Sequence, residues 1–296
     1  MLGTMLATVD ESGFLIEPDK LLRTGAFFVG AIVLVALAKA LRESIAARRG
    51  HRLSQLVAKR DNVPVAIEMA TFVLAMVIGL LGSLVVHGEA WWEQALDLVG
   101  IAAIVCLVLL FNDQVTSRLV LRSIDCNGAV ADEHNLAVAI VRAAGNLATA
   151  FVLRAALGHD SPLGERLVWV LIGQVALVAL SLGYQWLTPY DDIAEVRRKN
   201  VAAALPMAGI LIAVGIVVEA ALSGPGGGWA ADLLSLGVDL AVSAVLVLVL
   251  RWAGDRLLLR GSTFKHEIVS DQNAGAGFIE GTVYVAGALA VAYFLN

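Results

Sequence analysis

Three ionisable side chains stand inside otherwise apolar runs: Glu68 in VPVAIEMATFVLAM, Arg142 in LAVAIVRAAGNLATAF and Glu280 in AGAGFIEGTVYVAG. Charges in hydrocarbon are costly, and they mark ion paths and proton relays unless a partner neutralises them. Glu68 therefore reads as a proton- or cation-handling carboxylate, or as one that is protonated, reaches the interface, or bonds Arg142 or Lys39. Lys39 itself reads as snorkelling to a basic membrane face. Asn146, Gln174, Asp97, Asp239 and Tyr284 read mainly as partners in interhelical hydrogen bonds, with Asp97 and Asp239 also placed to line an outer vestibule.

Chemistry beyond charge handling finds no support. No P-loop, G-x-S-x-G, H-E-x-x-H or paired-cysteine motif occurs, so the chain reads as a non-enzyme. His134 beside Glu133 and His266 beside Glu267 are adjacent pairs in polar loops and read as solvated, so neither metal nor cofactor is expected. Cys106 lies in an apolar run and Cys126 in a polar loop, which argues against a disulfide framework.

The elements that position these groups follow from composition. Hydrophobic residues make up 59% of the 296 and charged residues 16%, with a mean hydropathy of +0.81. Soluble domains carry about 25% charged residues, and runs of about 20 apolar residues suffice to span a bilayer. Eight such runs occur, near 21–45, 63–86, 92–112, 136–157, 163–187, 201–222, 230–251 and 274–295. Turns at 87–91 and 223–229 and polar loops at 46–62, 113–135, 188–200 and 252–273 join them. The N-terminus carries four acids before its only lysine and so lacks the basic head of a cleavable signal.

Orientation is read from the loops. Arg42, Arg48, Arg49, Arg52, Lys59, Arg60, Arg118, Arg122, Arg197, Arg198, Lys199, Arg251, Arg256, Arg260 and Lys265 fall on one side, against Lys20, Arg23, Arg154 and Arg166 on the other. Basic loops stay in the cytoplasm, so both termini are expected outside. Trp91, Trp92 and Trp229 cluster at the outer ends of their helices as interfacial anchors. The basic loops, RRGHRLSQLVAKR (48–60) among them, suit anionic lipid headgroups or a cytoplasmic peripheral protein rather than nucleic acid. RLVLR (118–122) and RLLLR (256–260) read as helix extensions along the interface.

A repeat underlies the pattern. DNVPVAIEMATFVLAM, HNLAVAIVRAAGNLAT, KNVAAALPMAGILIAV and QNAGAGFIEGTVYVAG align on Asn62, Asn135, Asn200 and Asn273. The first and third asparagines lie 138 residues apart, as do the second and fourth, and the same offset carries RLVLRS onto RLLLRG. One four-helix unit is therefore duplicated in tandem: an extracytoplasmic segment 1–20, a first repeat 21–157 and a second 158–296. The expected fold is an all-α polytopic membrane bundle of eight transmembrane helices. Its two four-helix repeats are expected to be related by a pseudo-two-fold axis along the membrane normal.

The shared positions have physical reasons. Asparagine at a helix start caps orphan backbone N–H groups, which are costly to leave unmet near lipid. Small residues follow at four and eight positions, Ala66 and Ala70, Ala139 and Ala143, Ala204 and Ala208, Gly277 and Gly281, and alanine again at thirteen (Ala75, Ala148, Ala213, Ala286). Such spacing lets helix backbones approach closely, so these four helices are expected to form the packed core. Arg142 plus 138 is Glu280, so equivalent positions carry opposite charge. Three readings stand: an ion pair across the axis, separate snorkelling, since seven residues past the asparagine rise only about 10 Å, or a hydrated pathway.

A polar head, N-x-A-x-A-I and a small-residue helix resemble the bacterial inner-membrane family domain of unknown function 350 (YjfL-like), over nearly the whole chain as two copies. Pro64, Gly275 and Pro206 depart from its pattern. The resemblance implies the bacterial inner membrane and no particular activity. It further implies an envelope-stress association, hence a partner role; the sequence also leaves room for a homo-oligomer. Two functions follow as expectations: a non-enzymatic component engaging partners or lipid through its basic loops, or a channel or transporter using Glu68 and the Arg142/Glu280 level.

Overall fold

Backbone groups in hydrocarbon have no water to bond, so each long apolar run must satisfy its own N–H and C=O groups as a helix. The computed structural model describes residues 18–82, 91–158, 161–223, 227–257 and 261–295. Among them, eight helices are long and apolar enough to cross a membrane. They are α1 (Pro18–Arg48), α3 (Val63–Leu81), α4 (Trp91–Val115), α6 (Leu136–Gly158), α7 (Leu163–Leu187), α9 (Val201–Leu222), α10 (Trp229–Leu257) and α11 (Ala274–Leu295). Short helices α2 (Leu53–Arg60), α5 (Cys126–Ala131) and α8 (Asp192–Arg197) lie in three of the loops. The ends of α7, α9 and α11 fall where expected, whereas α4 and α10 run past 112 and 251.

RLVLR continues from α4 through a π-helical turn (Thr116–Val120), with Val120 and Leu121 buried and Arg118, Leu119 and Arg122 exposed. The N-terminal residues 1–17, the 87–90 part of the first turn, 224–226 of the second and 258–260 of RLLLR lie outside the described residues.

The four asparagines build one side of the bundle. Each follows a residue whose φ lies in the left-handed region, Asp61, His134, Lys199 and Gln272, and Asn62 and Asn200 precede their helices in extended conformation.

 In chain order the four angles are 48°, 54°, 68° and 48°. Outside glycine that conformation is uncommon, and here it turns the chain sharply into the cap. Asn62 Oδ1 accepts from Val65 N at 3.0 Å, while its Nδ2 donates to the carbonyls of Val130 and Ala131 in the next hairpin. Asn135 caps Val138 and donates to Val196 O at 3.0 Å; Asn200 caps Ala203 and donates to Ile268 O at 2.8 Å. Asn273 has no following hairpin, and its Nδ2 turns back to Glu267. Asn62, Asn135 and Asn200 thus each cap one helix and fasten the next unit, while Asn273 only caps, and all four helix starts share one face of the bundle.

The Asn-headed helices pack in the order α3–α6–α9–α11. A closed two-fold arrangement would match the α6–α9 contact with an equal α3–α11 contact, and the described residues form no substantial α3–α11 interface. The Asn-headed helices of the two repeats therefore follow one another along a row, and the described residues do not show the expected two-fold contact. The small-residue columns carry this order. A Cβ on Gly281 would come within 2.6 Å of the Leu205 carbonyl in the preceding helix, and one on Gly215 within 2.7 Å of Ala148 Cα. Gly277 likewise lies against the Ala202 backbone.

Ala139, Ala143, Ala204 and Ala208 are buried, but Ala66 is half-buried and Ala70 exposed, because no helix precedes α3 in the row. At the other end Ala286 is exposed, since none follows α11. In α6 and α9, 78% of the most apolar stretch is buried, against 11% in α1 and α10, which flank the row.

Candidate functional site: a buried four-charge cluster

Four helices of the first repeat each bring one charge to a common point. Arg42 comes from the end of α1, Glu68 from the second turn of α3, Asp113 from the end of α4 and Arg142 from the second turn of α6. Arg42 Nη2 lies 3.2 Å from Glu68 Oε2 and 3.3 Å from Asp113 Oδ2. Arg142 reaches Glu68 Oε1 at 2.9 Å and Asp113 Oδ1 at 3.4 Å. Each carboxylate therefore bridges both guanidiniums in a neutral quartet, with every side chain 5–9% exposed. Pairing of this kind is what allows ionised groups to persist away from water.

Further groups hold the quartet in place. Arg42 donates to the Glu68 carbonyl at 2.8 Å and lies over the Phe72 ring at 4.8 Å. Asn146, one turn beyond Arg142, donates to Asp113 and accepts from Asn112 at 3.0 Å. Asn127 in α5 accepts from Arg142 at 3.4 Å. Arg142 Nε, though buried, has no hydrogen-bond partner among the described residues. A cavity of about 300 Å³ adjoins the cluster and reaches the loop side at Arg49, His51 and Gln114. Its wall sets charged and polar groups, Arg49, His51, Gln114 and Asn127 beside the quartet, among apolar side chains.

The second repeat builds its counterpart differently. Asp113 plus 138 is Arg251 and Arg142 plus 138 is Glu280, and these two also pair, at 3.4 Å with both signs reversed. Arg42 and Glu68 are replaced by Leu180 and Pro206. Tyr284, at the place of Asn146, donates its hydroxyl to Glu280 and meets Tyr184 edge-on at 5.9 Å. Nearby in α8, outside the spans, burial pushes the Asp192 carboxyl up to about 7 against a bond from Thr188 and the charge of Arg251.

These placements revise two expectations. Arg142 and Glu280 do not pair with each other; each closes an ion pair within its own repeat. The reason is the row, in which α9 separates α6 from α11. Glu280 accordingly belongs to a separate ion pair from Glu68 and Arg142 rather than to one group with them. Glu68 does bond Arg142, one of the options open from sequence, whereas Lys39 is exposed.

Sequence reading missed Arg42, counted only as a loop cation, and Asp113, placed in a loop because α4 was ended at 112. The available signal was the second charge reversal at the 138 offset, Asp113 against Arg251. Asp97 is exposed and Asp239 buried. Trp229 stacks on Trp169 at 4.9 Å, and Trp92 is exposed. His134 is exposed, and His266 lies 3.8 Å from Asp271.

A family model described as Domain of Unknown Function (DUF350) matches the chain twice, over residues 16–157 and 160–295. The chain belongs to the DUF350 family. No curated protein and no solved structure matches it. All four quartet residues fall in the first DUF350 match, and Arg251, Glu280 and Tyr284 in the second. The tandem thus carries two versions of one site, one with four charges and one with two.

Proposed function

We propose that this DUF350 tandem is a non-enzymatic membrane carrier or channel for an ion or small polar solute, with Arg42, Glu68, Asp113 and Arg142 as its binding and gating group. One observation carries the reading: the second repeat builds an equivalent bundle with Leu180 and Pro206 where the first has Arg42 and Glu68. The architecture therefore does not require those charges. Buried ion clusters are often no more stable than apolar replacements, so their presence beside a 300 Å³ cavity is best accounted for by use.

The basic loop side is cytoplasmic in this reading, both termini lie outside, and the membrane is the bacterial inner membrane. The asparagine-fastened core is static, and opening occurs by separation of the two guanidiniums from the two carboxylates.

The test is flux of protons, alkali cations and chloride across proteoliposomes containing the full chain, compared with Glu68→Gln. Flux lost in that variant supports the proposal. An absence of flux for every species, with wild-type protein folded and inserted, overturns it.

A second reading has its own support. Exposed Arg48, Arg49, Lys59 and Arg60 around α2 form a basic surface suited to anionic lipid or a peripheral stress-related protein. Retention of a soluble partner by the wild type, and its loss when these four are changed to glutamine, would favour that role.

A further inference from the structure

We infer that the second repeat binds a bilayer phospholipid, with a segment of one acyl chain seated in a slot between α7, α9, α10 and α11, the rest of the chain in the adjoining bilayer, and its polar end at Arg251 and Tyr184. The slot, about 110 Å³, occupies the place that the charged cavity takes in the first repeat: Leu180, Gly183, Tyr184 and Leu187 succeed Arg42, Ile45, Ala46 and Arg49. Replacement of two arginines by leucines turns a wall for polar solutes into one for hydrocarbon.

The slot is polarised along its length. From Arg251 at the loop end to Leu240 near the middle of α10 is eleven residues, or about 16 Å of helix. Arg251 and the Tyr184 hydroxyl stand at the loop end, and the rest of the wall is apolar but for Tyr284 and Ser243. Tyr184 is 5% exposed, and its hydroxyl has the Tyr190 hydroxyl beside it as a hydrogen-bonding neighbour. An ester or phosphate oxygen at this end would add a stronger acceptor for the paired hydroxyls.

The entrance fixes the source of the occupant. Exposed Leu187, Ala244 and Leu248 border the slot on the flank of α7 and α10, which faces hydrocarbon once the bundle is in a bilayer. A molecule entering there has its chain toward the mid-plane and its head toward the loop side. That is the orientation of a phospholipid in the adjacent leaflet, and the Arg251 guanidinium suits its phosphate.

The test uses the full chain in nanodiscs containing phosphatidylglycerol with a diazirine midway along one acyl chain. After photolysis, label mapped by mass spectrometry is expected to concentrate on peptides spanning 180–187, 240–251 and 284–288, above the exposed face of α4. Val247→Phe, which fills the slot, is expected to lower that label about tenfold, the equivalent of about 1.4 kcal/mol. Should that variant fail to assemble, Ala244→Phe blocks the same entrance from an exposed position. Tyr184→Phe is expected to release co-purifying phospholipid in native mass spectrometry. Label no denser than on α4, or unchanged when a folded variant fills the slot, overturns the inference; ion flux plays no part in the outcome.

Discussion

Replacing Glu68 with leucine removes the 3.2 Å carboxylate partner of Arg42 and the 2.9 Å partner of Arg142, leaving Asp113 as the one quartet carboxylate for both guanidiniums. Removing one member of a buried ion cluster costs roughly 3–5 kcal/mol, because the charge left behind stays uncompensated. Arg42→Leu creates the opposite imbalance, two carboxylates on Arg142, and also loses the Phe72 ring contact at 4.8 Å. Its cost is about the same.

The double variant restores balance. It keeps the Arg142–Asp113 pair at 3.4 Å and puts apolar side chains where the second repeat has Leu180 and Pro206. Its expected cost is on the order of 0–2 kcal/mol, so the two sites should couple by at least about 4 kcal/mol. Unfolding in mixed micelles with increasing sodium dodecyl sulfate, followed by circular dichroism, gives the four free energies. A double variant as unstable as the sum of the singles would refute the claim that the fold can do without Arg42 and Glu68. A stable double variant that still conducted would remove the quartet from the path.

Two further outcomes follow. Asn135→Ala loses both the cap on Val138 and the fastening to Val196, and should cost about 2–4 kcal/mol in the same unfolding experiment; Asn273→Ala, at the end of the row, should cost about 1 kcal/mol. Equal losses would show that fastening adds nothing to capping. For Asp192, an unfolded carboxyl titrates near 3.9 and the folded one near 7. The folded state holds that proton more tightly, so stability is full below about pH 4 and falls as pH rises through 7. Asp192→Asn should flatten the profile, gaining up to about 4 kcal/mol over wild type above about pH 8. A pH profile of stability that is identical in wild type and variant would contradict the assignment.

Helix positions were legible because a 20-residue apolar run admits few alternatives in lipid, and three of the eight spans fall where expected to the residue. The duplication was legible because the asparagines, the small columns and RLVLRS share one offset. The asparagine caps were legible too, but not the left-handed residues before them, which are an acid, a histidine, a lysine and a glutamine. No shared residue type announces that turn. Asp113 was lost because a helix end depends on packing as well as hydropathy, and α4 continues until its carboxylate meets Arg42 and Arg142.

By itself, then, the sequence determined that the chain crosses a membrane in eight helices, that it is doubled, and that Glu68 and Arg142 need partners. Those conclusions rest on hydrophobicity, periodicity and the cost of burying charge, all of which act along the chain. Tertiary structure alone decided which partner each charge takes. An offset of 138 relates equivalent positions but not neighbours, and only the order α3–α6–α9–α11 keeps Arg142 with Glu68 and Asp113 while sending Glu280 to Arg251.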